Sequence, residues 1–209
     1  MKNLVRTLAI SAAAIGLATA CGGKSSTSVA DGGDMELGNP KASVTLVEYA
    51  SATCSHCARF DRDVFPTLKA RYIDTGKIHY VFREFLTPPV PVAAAAFVLA
   101  RCAGKDKYFQ VVEAVFRSQE EMFATQDSRT PLLRIAKSMG MTEEGFNTCL
   151  SDSAALDAVQ KRMDRGVTED KIEGTPTFLI NGKQVATGET TLEVLAKAID
   201  AAAAAPAKK

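Results

Sequence analysis

Ser43-Val44-Thr45-Leu46-Val47-Glu48-Tyr49 is β-branched and apolar with no Gly or Pro, and it predicts a strand. Residues 50–53 form a short turn into Cys54. Phe60, Val64, Leu68 and Tyr72 then recur every fourth residue, the stripe of one helix face. Pro66 lies inside that stripe and predicts a kink. A second strand is expected over residues 78–85, broken by Leu86-Thr87-Pro88-Pro89. From residue 90 to about residue 170 the pattern is helical, with no strand-like run.

Within this helical block, residues 92–103 are Ala-rich and apolar nearly all round, which predicts a buried helix ended by Gly104. Tyr108, Val111, Val112, Val115 and Phe116 stripe the next helix. Pro131 starts another and Gly140 closes it; Thr142 before Glu143 and Glu144 opens a short one, and residues 154–165 give the last. Thr177 to Ile180 and Gln184 to Ala186 read as the arms of a hairpin, because Asn181-Gly182 between apolar runs is a strong hairpin signal. Thr190 with Glu193 predicts a capping box, and Leu192, Val194, Leu195 and Ile199 the apolar face of the helix it opens. The order is β-α-β, a helical block, then β-β-α: one sheet covered by helices, with a helical insertion and no internal repeat.

Placed on these elements, the candidate chemistry is Cys54-Ser55-His56-Cys57, where a strand hands over to a helix. A free thiol has a pKa of about 8.5, and a helix N-terminus or a cationic neighbour lowers it to roughly 3.5–7.5. Unpaired backbone N–H groups point at Cys54, and His56 can add a hydrogen bond or a charge. Cys54 is therefore the attacking and leaving sulfur, and Cys57, one turn in, the resolving one. A zinc site needs about four ligands; no second CxxC exists, and the histidines are His56 and His79, the latter read as structural. A purely structural bridge over so small a ring gains little loop entropy. A non-enzymatic alternative is a metallochaperone or chaperone, with a soft metal on Cys54, Cys57 and His56. No Met-rich or His-rich stretch accompanies those three residues. No metal, flavin or nucleotide cofactor is expected.

The net charge is +1 over 209 residues, with no basic stripe, so nucleic acid is not a partner suggested by the chain. Lys2 and Arg6 precede an apolar run, residues 8–20, shorter than the about 20 residues that span a bilayer. With Ala18-Thr19-Ala20 this reads as an export signal. Cys21 follows at once and leaves two readings open, a released soluble protein or a lipoprotein tethered to a membrane through Cys21. Parity of the five cysteines favours lipidation, since it removes the odd thiol; Ala18, where lipoprotein signals prefer Leu, Val or Ile, argues against it. Cys102 and Cys149 are expected to form a structural disulfide, the alternative being two buried free thiols. A bond closing so long a loop stabilises by about 4 kcal/mol in the chain-entropy model. The expected organisation is a signal over residues 1–20, a flexible linker over 21–40, one domain over 41–203 with its helical insertion at about 88–170, and a tail over 204–209.

Glu48 six residues before Cys54, the CxxC with His56 before its second cysteine, and Gly174-Thr175-Pro176-Thr177-Phe178 followed by Asn181-Gly182 form one constellation. On it, residues 40–203 resemble the DsbA-like thiol–disulfide oxidoreductases of the thioredoxin superfamily. The resemblance implies a thioredoxin fold with a mixed central sheet and an inserted helical subdomain. It implies a cis Pro176 facing the disulfide, where base rates alone favour trans. It also implies backbone groups of Thr175 for an extended substrate, and a buried Glu48 that assists proton transfer. The chain departs from well-known members at Ser55, where they carry Pro, and the dipeptide between the cysteines tunes the potential. The expected function is an exported, bacterial periplasmic enzyme that oxidises cysteines of reduced or unfolded client proteins and is reoxidised by a DsbB-like membrane partner. A reductase or isomerase is the runner-up.

Overall fold

The computed structural model describes residues 33–205. The expected signal, Cys21 and the last four residues lie outside that range. Among the described residues, five strands form one mixed sheet in the order β1-β3-β2-β4-β5. The strands are β1 (Met35–Gly38), β2 (Thr45–Ala50), β3 (His79–Glu84), β4 (Thr177–Ile180) and β5 (Lys183–Thr187). β2 runs parallel to β3 and antiparallel to β4, with Glu48 opposite Phe82 on one side and Phe178 on the other. The helices are α1 (Ser55–Asp63), α2 (Phe65–Leu68), α3 (Val90–Cys102), α4 (Tyr108–Thr125), α5 (Arg129–Ser138), α6 (Glu143–Leu150), α7 (Ser153–Thr168) and α8 (Leu192–Ala204). α3 to α7 are the insertion between β3 and β4. This is a thioredoxin fold with an inserted helical subdomain.

Three local expectations need correction. The linker assigned to residues 21–40 does not extend that far, because Met35–Gly38 pairs antiparallel with β3 and Met35 is buried. A four-residue strand is too short for its alternation to stand out beside Gly- and Asp-rich neighbours. The cap of α8 is Thr191 rather than Thr190, and its side chain accepts the Val194 N–H, so Glu193 stands one residue too early to close a box with it. Val194 accordingly points outward, 46% exposed, while Leu195 and Ile199 bury the inner face. Elsewhere the differences are of boundaries. The stripe through Phe60 and Tyr72 is carried by three pieces: α1, α2 with Pro66 in its first turn, and a π-helical turn over Lys69–Ile73. Proline has no N–H to give to the preceding turn, so the break falls where it stands.

Both faces of the sheet are covered, and period-2 alternation sorts the side chains. Leu46, Tyr80, Phe82, Phe178 and Ile180 enter the main core under α1, α8 and the insertion. Val47, Tyr49, Val81, Leu179 and Ile172 build a smaller core on the other face. Asn181 and Gly182 both have positive φ, 47° and 79°, the signature of the tight turn that matches hairpin twist. The Asn181 side chain accepts the Thr45 N–H at 2.8 Å and donates to the Ser43 carbonyl at 3.2 Å, tying the hairpin tip to the start of β2.

Candidate active site

Cys54 is the N-cap of α1, in extended conformation (φ −84°, ψ 115°), and its sulfur accepts the Cys57 N–H at 3.2 Å. Helix formation leaves the first-turn N–H groups without intrahelical partners, and here the sulfur takes the place of a capping oxygen. Both cysteines are free thiols; Cys54 is half-buried and Cys57 fully buried. The thiol of Cys54 is drawn down to about 6, first by the hydrogen bond from the Cys57 thiol, then by the Thr175 side chain and the N–H groups of Cys57 and His56, against a cost from burial. The Thr175 hydroxyl has no hydrogen-bond partner by geometry, so the Cys57 contacts carry the effect. Burial pushes the Cys57 thiol well up, and the neighbouring Cys54 sulfur pushes it further. Two sulfurs three residues apart thus differ sharply in acidity because one lies at the helix mouth and the other behind it.

Across from Cys54, the Thr175–Pro176 peptide bond is cis, and the Cys54 sulfur lies 3.4 Å from the Thr175 carbonyl oxygen. The base-rate expectation of trans is overturned at this bond. The Gly188 N–H donates to the Pro176 carbonyl at 2.8 Å, and the Thr177 hydroxyl to that of Gly174 at 2.8 Å, so the loop is held on both sides. Glu48, 2% exposed, lies on the main-core face of β2. Burial raises its carboxyl to about 8, with smaller upward pushes from the charges of Asp61 and Cys54. The Tyr80 hydroxyl donates to Glu48 Oε2 at 2.6 Å and opposes that rise. His56 is exposed; the group it turns toward the sulfur is its backbone N–H. His79 lies on β3 with its Nε2 3.2 Å from Glu36, away from the cysteines. Cys102 and Cys149 form a disulfide joining the C-terminal end of α3 to α6, inside the insertion.

Several residues around the tetrapeptide carried no sequence signal of their own. Tyr80 could have been suspected only from the register of two parallel strands. Ser51, Thr53 and Thr87 form a hydroxyl cluster behind the turn: Ser51 Oγ accepts the Thr87 N–H at 3.1 Å and its hydroxyl at 2.8 Å. The Thr53 hydroxyl donates to the Thr87 carbonyl at 2.8 Å. Gln119 reaches the same turn from α4.

A family model described as thioredoxin matches residues 30–201. A curated relative from Rickettsia felis, named as a protein-disulfide oxidoreductase, is 36% identical over 173 residues, covering 82% of this chain. The chain spans about 61% of that relative's length. Among solved structures, Wolbachia pipientis alpha-DsbA1 is similar with a TM-score of 0.74 and 33% identity, covering 81% of this chain and 90% of its own. BdbD from Bacillus subtilis shares the fold, with a TM-score of 0.71 at 21% identity, covering 82% of this chain and 94% of its own.

Proposed function

This chain belongs to the DsbA-like branch of the thioredoxin superfamily, and from that premise we propose that it oxidises cysteine pairs of client proteins through a Cys54–Cys57 disulfide. A client thiolate attacks the Cys54 sulfur, the Cys54–Cys57 bond breaks, and a client–Cys54 mixed disulfide forms. Cys57 leaves into a buried site that disfavours its thiolate, so it must gain a proton. Glu48, protonated at neutral pH by its burial, is the nearby acid that supplies it. A second client thiolate then attacks the client sulfur of the mixed disulfide, and Cys54 departs as a thiolate. Two electrons pass from client to protein, which ends as Cys54 thiolate and Cys57 thiol. A leaving group of low pKa departs faster, and its stability as a thiolate favours the reduced protein. Thr175 and Pro176 stand where an extended client chain would lie against Cys54.

The observation that carries this reading is the Cys54 sulfur capping α1 with the cis-proline loop 3.4 Å away. In this reading a membrane oxidant of the DsbB type restores the disulfide. Export to the periplasm, with or without a lipid on Cys21, is part of the same proposal and is supported by the charge and hydropathy pattern of residues 1–21. The test is a redox titration of the full chain together with thiolate absorbance against pH, with Cys54→Ser as control. An apparent thiol pKa of about 6 and a potential well above the roughly −270 mV of thioredoxin are expected. A potential near thioredoxin's reverses the direction of electron flow and makes the protein a reductase.

A further inference from the structure

Helix α4 turns a regular apolar stripe toward the core: Tyr108, Val111, Val112, Val115, Phe116 and Met122. Gln119 occupies the stripe's remaining position and is 5% exposed. A primary amide at a core position is unfavourable unless its polar atoms are bonded, and Leu or Met would fill the same space. Its Nε2 donates to the Ala52 carbonyl at 2.8 Å and to the Cys54 carbonyl at 3.2 Å. Two carbonyl acceptors set the orientation of the amide, since only its nitrogen end can face them. Gln119 is the hydrogen-bond partner of the Ala52 oxygen among the described residues, while the Cys54 oxygen also accepts the Ala58 N–H at 3.1 Å.

We propose that Gln119 is a positioning residue for thiol–disulfide exchange: reaching from the helical insertion, its amide grips the Ala52–Cys54 turn and holds the first-turn N–H groups of α1 on the Cys54 sulfur. The inference rests on the exchange reading above. Its physical content is a lever. The two gripped carbonyls flank Thr53 and belong to the peptide planes that enter α1. The tilt of the Cys54–Ser55 plane sets the direction of the following first-turn N–H groups, of which that of Cys57 meets the sulfur at 3.2 Å. The amide hydrogens also place partial positive charge beside a carbonyl two bonds from the Cys54 β-carbon. On the opposite side of the turn, Thr87, at the entry to the insertion, bonds Ser51 and Thr53. The insertion therefore holds the redox turn at two points, and Gln119 is the one that touches the cysteine itself.

The test compares the reduced full chain with Gln119→Met, which keeps the volume and removes both donors. Gln119→Leu is the second variant, uncharged and likewise without a donor. Iodoacetamide trapping of Cys54, located by peptide mass, is followed from pH 4 to 8, with melting by circular dichroism alongside. Both variants are expected to move the trapping midpoint upward, so that at pH 5 trapping slows about two- to tenfold, the range set by one lost hydrogen bond. If Gln119→Met does not fold, Gln119→Leu decides the matter alone. An acidic Cys54 in the parent with unchanged midpoints in the variants overturns the role of Gln119 and leaves the exchange reading standing. So does a fall in melting temperature without a shift in midpoint. A parent Cys54 as weakly acidic as a free thiol overturns the exchange reading, and the positioning role falls with it.

Discussion

At the scale of single residues, the site is governed by two groups whose acidities are displaced in opposite directions. Cys54 is lowered because hydrogen-bond donors converge on it, and Glu48 is raised because it is buried with one hydroxyl donor. The consequences for stability have opposite signs. A depressed thiol stabilises the reduced fold above the free-thiol pKa, and that contribution is lost as pH falls through about 6. A raised carboxyl favours the fold fully below the ordinary carboxylate pKa of 4.5, and that favour is lost as pH rises through about 8. Glu48→Gln keeps the acceptor for Tyr80 and cannot ionise. In the oxidised protein, where neither redox cysteine titrates, the variant is expected to melt roughly 4–8 °C above the parent at pH 9, for a relief of about 2 kcal/mol. Little difference is expected near pH 4.5. Thermal melts at the two pH values check this, and a variant that melts lower at pH 9 would show that the buried carboxylate is stabilised rather than strained there.

At the scale of elements, close packing of α7 on the sheet depends on a residue without a side chain. A Cβ built on Gly166 would lie 2.6 Å from Tyr49 Cε1. The Tyr49 ring has little room to retreat, because its hydroxyl bonds Asp170 and accepts from Arg83 Nη1 at 2.9 Å. In an isolated helix Gly→Ala gains about 1 kcal/mol. Overpacking a filled core costs about 1–3 kcal/mol, and the rigid ring puts this site in the upper part of that range. Gly166→Ala is therefore expected to destabilise by about 1–2 kcal/mol net despite the better helix former. Urea unfolding midpoints measure it; a stabilised variant would show that α7 can slide off Tyr49 at little cost. The same reasoning explains why α1, α2 and the π-helical turn stay aligned across the break at Pro66: Phe60, Leu68 and Tyr72 are all buried in one core, and packing there outweighs the lost backbone bond.

For the whole molecule, the question is how an insertion of five helices is held to a five-stranded sheet. Glu84, buried at the end of β3, is the junction. Its carboxylate accepts from Arg101 Nε of α3 at 2.6 Å, from the Tyr108 hydroxyl of α4 at 2.9 Å, and from Arg162 Nε of α7 at 2.6 Å. Removing one partner of a buried ionic cluster leaves the others uncompensated, at a cost of about 3–5 kcal/mol. Glu84→Ala is expected to lose that much in denaturant unfolding, with amide exchange rising in α3, α4 and α7 before it rises in β2 and β4. Uniform loss of protection would mean that sheet and insertion unfold as one unit. In the proposed exchange reaction the junction matters because the Cys54 turn is assembled from both parts: Cys54 from the β2–α1 corner, Thr175 from 121 residues downstream, and Gln119 from the insertion.

Local physics was legible in the chain. The stripe of α4, the break at Pro66, the Asn181-Gly182 turn and the placement of Cys54 at the mouth of a helix all follow from interactions within a few residues, which any fold must respect. The face on which Glu48 lies was not legible, because alternation separates two faces without ranking them and here helices cover both. Nor could its Tyr80 partner, the cis bond before Pro176 or the grip of Gln119 be read locally, since each depends on contacts between segments 32 to 121 residues apart. The residues therefore determined which sulfur stands at a helix N-terminus, while the environment that sets its acidity exists only after distant segments have closed around it.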